Sequence, residues 1–356
     1  MAAKFVYEAL PSRVIFDEVT STLLRAECER LRIGHPLILS TPQQRREGQC
    51  VLDLLGGAAA GLFTEAEMHT PVRVTERAVA SFKASASDGT IAIGGGSTTG
   101  LGKAIALRTG APQIVIPTTY AGSEMTPILG ETVDGRKTTQ VTRDVLPETV
   151  IYDVAQTLDL PPDISAASGL NAIAHAVEAL YARDANPIVS MMAEEGVRVL
   201  AAALPLILVT PHDFDARSEC LYGTWLCGVC LGAVGMALHH KLCHALGGLF
   251  DLPHAQTHAI VLPHALAYNA AAAPDAICRL SQALQADDPA RAMFDLAGRL
   301  GISGGLRSLG MPADGVDRAA DEILAKPYWN PAPIDRPAIR DLLDHAWSGM
   351  PPRSAS

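Results

Sequence analysis

The sequence predicts an α/β dinucleotide-binding domain followed by an all-helical domain, and three patterns carry that prediction. Up to about Asp153, short β-rich runs alternate with helical stretches. At Gly94-Gly95-Gly96 a glycine run stands between an apolar strand and a helix start. After Leu160-Pro161-Pro162-Asp163 the strand signal ends and Ala-rich helical patterns take over. Strands alternating with helices imply a parallel, doubly wound sheet, and a double proline is a natural boundary. The expected domains are 1–159, binding NAD(P), and 160–356, carrying substrate and catalysis.

Expected strands are Arg13–Phe16, Pro36–Ser40, Val72–Thr75, Thr90–Ile93, Gln113–Pro117 and Thr149–Tyr152. Several are continuous apolar runs, as strands covered on both faces should be. The more polar Lys137–Val145 reads as a hairpin or loop over the site. Expected helices are Ser165–Arg183, Ile188–Leu206, Ala216–Leu238, Lys241–Phe250, Ala255–Ala272 and Pro289–Gly301. Cys220–Leu238 holds no charged residue or histidine and is near the ~18–20 residues of a membrane span. Its four glycines and the His pair that follows favour a helix buried on all sides.

Composition narrows the function. A chain of 356 residues, 48% hydrophobic and 19% charged, is not mainly disordered. Lys and Arg number 28 against 38 Asp and Glu, a net charge of −10 with no basic block. Nucleic acid and anionic membrane are therefore not expected partners. Seven cysteines, sparse and odd in number, point to reduced thiols and a cytoplasmic protein. Lys4, Glu8 and Arg13 interrupt the apolar run that an export signal needs. Cys227 and Cys230 have CxxC spacing without a partnering pair, and read as buried wall residues.

The glycine run lets backbone N–H groups approach a pyrophosphate at a helix N-terminus. It fits neither GxGxxG nor the P-loop pattern. Ser97 and Thr98 add hydroxyls. A second strand–loop, Ile114 to Glu124, brings Thr118, Thr119 and Ser123, suited to a ribose or nicotinamide amide. Gly94, Gly95, Gly96, Ser97, Thr98, Thr118, Thr119 and Ser123 are thus assigned to coenzyme, with Lys137 from the polar segment beyond. Thr41 ends the strand expected to carry the ribose, with Arg45 and Arg46 close behind. An acidic residue there would repel a 2′-phosphate, so both NADH and NADPH are expected.

Six of the 11 histidines fall between His239 and His264. His240 and His244 are i,i+4, as are Asn171 and His175, so each pair shares a helical face. His254 follows after the Gly247-Gly248 break. His175, His240, His244 and His254 are the expected catalytic residues; His239, His258 and His264 read as satisfied core or surface residues. Three imidazoles could hold Zn²⁺ or Fe²⁺, but position 171 offers a neutral amide rather than an anionic ligand. The expectation is that no metal is required.

Gly94–Ser97, Pro117-Thr-Thr119 with Gly122-Ser-Glu124, Gly169–His175 and the His240, His244, Pro253-His254 series resemble the iron-containing (group III) alcohol dehydrogenase superfamily, in order over nearly the whole chain. Pro117–Pro127, Val145–Asp153 and Tyr328-Trp-Asn-Pro331 are similar to its maleylacetate reductase family. The resemblance implies a dehydroquinate synthase-like architecture, an active site between the two domains and a homodimer. It also implies NAD(P)H-dependent reduction of maleylacetate, a dicarboxylate, to 3-oxoadipate in the catabolism of aromatic compounds. In metal-dependent members an Asp and three His bind the ion, at the positions of Asn171, His175, His240 and His254; His244 matches a histidine near the nicotinamide. Asn171 and Tyr328 are expected in the substrate pocket, and Lys241, Lys326 or Arg336 opposite its carboxylates. The alternatives are a metal-dependent alcohol or polyol dehydrogenase of the same fold and a non-catalytic nucleotide-binding protein.

Overall fold

The computed structural model describes residues 5–133, 136–325 and 328–353. The chain divides into two compact units, Ala9–Leu160 and Pro161–Ser356 with Met1–Glu8.

The first unit is built on β1 (Arg13–Phe16), β2 (Pro36–Leu39), β3 (Gly61–Phe63), β4 (Gly89–Gly94) and β5 (Gln113–Pro117). To these it adds β6 (Ile128–Val133), β7 (Arg136–Val141) and β8 (Thr149–Tyr152). Six strands form one sheet in the order β1-β8-β5-β4-β2-β3, every pairing parallel. Helices α1 (Ser21–Leu31), α2 (Arg45–Leu55), α3 (Val72–Ala84) and α4 (Gly96–Thr109) cover it. Ile38, Ile91, Ile93, Ile114 and Ile116 pack on one face with Leu24, Val51 and Leu55. Leu37, Leu39, Ala92 and Val115 pack on the other with Val74, Phe82, Leu101 and Ile105. Adjacent strand residues point to opposite faces, so two covered faces require the continuous apolar runs seen in the sequence.

Val72–Thr75 is not a strand but the first turn of α3. Its β-branched residues favour extended chain locally, yet Val74, Ala78 and Phe82, at i, i+4 and i+8, are all buried. Helical burial therefore outweighs strand propensity. The third strand in sheet position is instead Gly61–Phe63, three residues at the edge. The polar segment after Arg136 is half of an antiparallel hairpin, β7 on β6.

The second unit is helical: α5 (Pro162–Leu180), α6 (Pro187–Val209), α7 (Phe214–Ala233), α8 (Leu238–Phe250) and α9 (His254–Asn269) precede α10 (Pro274–Leu284), α11 (Pro289–Arg299), α12 (Gly315–Ala325) and α13 (Arg336–Ser348). Every residue of α5 from Ser165 to Leu180 is buried. The uncharged Cys220–Leu238 run is not one helix. It breaks at Val234–Ala237, where α7 and α8 meet at 92°. Among the described residues no single helix is long and apolar enough to cross a membrane. The bend is held by polar contacts: Gly235 N–H donates to Asp184 at 3.0 Å and Ala237 N–H to Glu178 at 2.9 Å. Conversely, α8 runs through Gly247-Gly248 unbroken and ends at Asp251, with φ +53°.

Glycine decides how closely α6 and α7 approach. A Cβ on Gly223 would lie 2.7 Å from Leu200 Cγ and 3.3 Å from the Gly196 carbonyl oxygen. Gly223→Val is therefore expected to lower stability by about 1–3 kcal/mol, read as a lower urea midpoint; an unmoved midpoint would show that the helices have room to spare.

Candidate functional site

In the first unit, the order in which strands are added reverses between β2 and β4: β2 leads to β3 on one side, and β4 to β5 on the other. Open α/β sheets bind ligands at the carboxyl ends of strands at such a reversal. Thr41 and the glycine loop both lie there. Gly94 has φ +150°, and a Cβ on it would meet Thr98 Oγ1 at 2.4 Å. Gly95 is the N-cap of α4, and no side chain caps the helix. Gly95 and Ser97 are half-buried and Gly96 is exposed. This is an uncapped helix N-terminus, ready for an anion.

The second loop packs against the first. A Cβ on Gly95 would lie 3.0 Å from Thr119, and one on Gly96 3.7 Å from Ser123 Oγ. Thr118 is buried, its N–H donating to the Gly94 carbonyl at 3.1 Å and its hydroxyl accepting from Gln44 Nε2 at 2.6 Å. Thr41 Oγ1 accepts the Gln44 N–H at 3.2 Å. Gln44, which the sequence did not single out, thus joins the ends of β2 and β5. Thr98 is corrected from ligand contact to support: its side chain is fully buried beneath Gly94. The structure also adds Lys103. Its buried ammonium is ringed by the Ser123 carbonyl, the Thr126 carbonyl and hydroxyl, and the Ile128 carbonyl, at 2.7–2.9 Å. Burial pulls its pKa down to about 7. Lys137 lies in β7, and its side chain is outside the described residues.

In the helical unit, α5, α8 and α9 bring the histidines together. Ring centroids are 5.2 Å apart for His175–His240, 6.2 Å for His240–His244 and 6.5 Å for His244–His254. His239 and His258 are no bystanders. His258 is 4.1 Å from His254, 4.8 Å from His239 and 5.0 Å from His240, and both residues are fully buried. One ring nitrogen each of His239, His240 and His258 lies within 4.8 Å of the others. Helix α9 carries His254 and His258 four residues apart, on one face. That spacing was legible, but the neighbours of His258 were not. His264 keeps its reading as a buried core residue.

Burial, with the neighbouring imidazoles, holds His175 and His258 well below the usual histidine range. Burial, and then His240, lower His239 to about 4. The deep rings are therefore neutral at pH 7. His244, by contrast, is exposed and His254 half-buried. Unpartnered buried atoms converge here: Asn171 Oδ1, His175 Nδ1, His240 Nε2 and both ring nitrogens of His258. Behind them sits Glu178, fully buried, three residues after His175. Burial pushes its pKa up, but the hydrogen bond from His240 and the charge attraction of the histidines outweigh that and leave it lowered.

Arg336 is corrected: it pairs with Asp321 at 2.7 Å and Asp317 at 3.3 Å. Lys326 lies outside the described residues. Lys241 Nζ stands 5.4 Å from the Tyr328 ring centroid. Tyr328, with a buried unpartnered hydroxyl, lines a cavity of about 350 Å³ with Ile323, Asn330 and Ile334. Asn330 fixes this segment, accepting from Leu238 N–H and exchanging two hydrogen bonds with Asn269. Cys227 and Cys230 are buried free thiols. Burial raises both thiol pKa values, Cys230 to about 12.

A doubly wound sheet with an uncapped glycine turn, in one chain with a helical unit enclosing neutral imidazoles, defines a nucleotide-dependent oxidoreductase. Residues 11–154 match the model described as iron-containing alcohol dehydrogenase, and residues 165–347 the C-terminal model of the Fe-containing alcohol dehydrogenase family. The chain belongs to the iron-containing alcohol dehydrogenase family. It is 53% identical to a maleylacetate reductase of Rhizobium sp. (strain MTP-10005), covering 98% of this chain and 99% of that protein. The crystal structure of maleylacetate reductase from Agrobacterium tumefaciens superposes with a TM-score of 0.95 at 55% identity, over 98% of this chain and 100% of that one. An iron-containing alcohol dehydrogenase from Corynebacterium glutamicum gives 0.93 at 41%, over 98% of each.

Membership of that family overturns the expectation that no metal is required. The sequence argument weighed three imidazoles against one neutral amide. The fold gathers five buried or half-buried imidazoles around unpartnered nitrogen lone pairs, a donor set that fits a divalent iron or zinc ion. His239, His240 and His258 bring one ring nitrogen each within 4.8 Å of the others, and Asn171 Oδ1 and His175 Nδ1 on α5 are further buried atoms without a partner.

Two outcomes test the coenzyme side. Gly95→Ala puts a methyl 3.0 Å from Thr119 where the backbone must approach phosphate, so coenzyme KM is expected to rise about tenfold, equivalent to about 1.4 kcal/mol, with little change in Tm. Thr41→Asp is expected to shift preference toward NADH by a similar factor through repulsion of the 2′-phosphate. Unchanged NADPH/NADH kinetics would place the ribose elsewhere.

Proposed function

We propose that this chain reduces maleylacetate to 3-oxoadipate with NADH or NADPH, a step in the breakdown of aromatic compounds. The observation that carries the reading is the end-to-end match, at 48–53% identity, to curated maleylacetate reductases. The buried imidazole cluster supplies chemistry that suits it.

Maleylacetate holds a C=C bond conjugated to a ketone, between two carboxylates. The reduced nicotinamide supplies a hydride to the carbon β to the ketone, and the C=C electron pair moves onto the ketone oxygen as an enolate. That developing charge needs donors preorganised in a dry site. A divalent ion held by Asn171, His175, His240 and His258 would supply Lewis-acid polarisation there. The neutral deep rings of His175, His239 and His258 are poor acids near pH 7, so delivery of the proton to carbon falls to the outer pair, His244 and His254. His175 and His240 line and polarise the pocket. Lys241, next in the chain to His240, is the cation best placed to meet a substrate carboxylate, and Tyr328 beneath it adds a hydroxyl.

On the coenzyme side, Gly94, Gly95, Gly96 and Ser97 hold the pyrophosphate, and Thr41, Thr119 and Ser123 the ribose and nicotinamide amide. Thr98 and Thr118 brace the loop. The working form is a homodimer, as the resemblance to the family implies, in the cytoplasm, as the sparse and odd-numbered cysteines suggest.

The deciding experiment is oxidation of NADH and of NADPH by the purified protein with maleylacetate, against simple alcohols and polyols in the reverse direction. Turnover only of the alcohols would replace this reading with an alcohol dehydrogenase. His244→Ala and His254→Ala are expected to lower kcat by ~10²–10⁴ while leaving coenzyme KM near its original value; small, equal losses in both would remove them from proton delivery.

A further inference from the structure

Glu178 has no part in the chemistry described above, yet it is the one buried carboxylate of the helical unit among the described residues. Its Oε1 accepts the His239 N–H at 2.7 Å. Its Oε2 accepts the Ala237 N–H at 2.9 Å and lies 2.7 Å from His240 Nδ1. The carboxylate therefore closes the N-terminal end of α8, where orphan N–H groups favour an anion, and at the same point engages a ring that α8 carries.

An ionised carboxylate only accepts hydrogen bonds, so His240 Nδ1 must carry the proton. A second contact requires the same assignment. His239 Nε2 lies 3.0 Å from the His258 carbonyl oxygen, which also only accepts. The His239 proton is thus on Nε2 and its Nδ1 is a bare lone pair, and that lone pair faces His240 Nδ1 at 3.4 Å. Two independent neighbours place the His240 proton on Nδ1. The bare nitrogen is then Nε2, which is buried without a protein partner.

We infer that Glu178 is a positioning residue that locks His240 in the Nδ1–H tautomer, turns its Nε2 lone pair toward a bound divalent cation, and supplies through that ring the negative charge the neutral donors around it lack. Asn171, His175, His254 and His258 offer an amide and imidazoles, none of them anionic. A carboxylate one ring removed orients the imidazole and raises its basicity, and loss of such a partner typically costs ~10–100-fold in metal affinity. The inference rests on the metal-holding role assigned to the cluster, but its first test does not depend on catalysis.

In the full chain without added metal, ¹⁵N-histidine NMR, with the His240 resonances assigned by their loss in His240→Asn, is expected to show the proton on Nδ1. A proton on Nε2 overturns the inference, whether or not any Glu178 variant folds. The second test titrates Zn²⁺ alone into wild type and Glu178→Gln. The amide removes the charge and, in either orientation, sets an N–H against a buried donor. Zn²⁺ affinity is expected to fall at least tenfold in Glu178→Gln, with part of it regained in Glu178→Asp. Affinity within twofold of wild type in Glu178→Gln, or equal losses in the Gln and Asp variants, would reduce Glu178 to a brace for the α7–α8 bend. Reductase turnover is not needed for either readout, so failure on maleylacetate would count against the proposed activity without bearing on this inference.

Discussion

Helix α5 is enclosed along its length from Ser165 to Leu180, and that enclosure is the constraint on which the rest of the helical unit depends. A helix buried on every side must satisfy its polar side chains inside the protein. Asn171, His175 and Glu178 all lie on it. The partners of Glu178 come from a neighbouring helix, which the chain supplies by bending, while Asn171 Oδ1 and His175 Nδ1 are left without one. The 92° turn between α7 and α8 brings the start of α8 onto Glu178, where three residues meet the carboxylate: Ala237 and His239 through their backbone N–H groups and His240 through its ring. Helix α9 then adds His254 and His258. The hydrogen bonds to one buried carboxylate thus fix where α8 starts and set His239 and His240 beside α5.

The same cluster is sorted by depth. The rings sealed from water are held neutral, because a cation there would lose its hydration with several imidazoles close by. The rings nearer the surface, His244 and His254, escape full desolvation. A single patch of one residue type therefore divides into lone-pair donors inside and candidate proton carriers outside. The atoms left unpartnered at its centre are the ones a divalent cation would use.

In the α/β unit the organising feature is the contact between two loops at the carboxyl ends of β4 and β5. Gly94 and Gly95 leave space that Thr98, Thr119 and Gln44 fill to within van der Waals contact. Lys103 then ties down the far side of the second loop by four oxygens. The buried ammonium faces neutral acceptors, which is why desolvation dominates its titration. The loop geometry is set from beneath, and no side chain caps the helix N-terminus that it leads into.

What the sequence determined by itself follows from local pattern. Continuous apolar runs identified most strands of the sheet, because burial on two faces leaves no polar alternation. The glycine triplet between strand and helix identified the uncapped turn at the start of α4, because close backbone approach excludes side chains. The i,i+4 pairs Asn171–His175 and His240–His244 identified two walls of the cluster. What only the tertiary structure decided depends on partners distant in the chain. Val72–Thr75 became helix because Val74, Ala78 and Phe82 found a common face to bury. His239 and His258 joined the cluster because α8 and α9 fold back on one another. Asn171 alone argued against a metal, and the weight changed once five imidazoles shared one interior. Glu178 carries no local signal at all: an acidic residue in an Ala-rich helix reads as a solvated one until the fold encloses it, and its hydrogen-bond partners, about 60 positions onward, reach it only through the bend that it helps to hold.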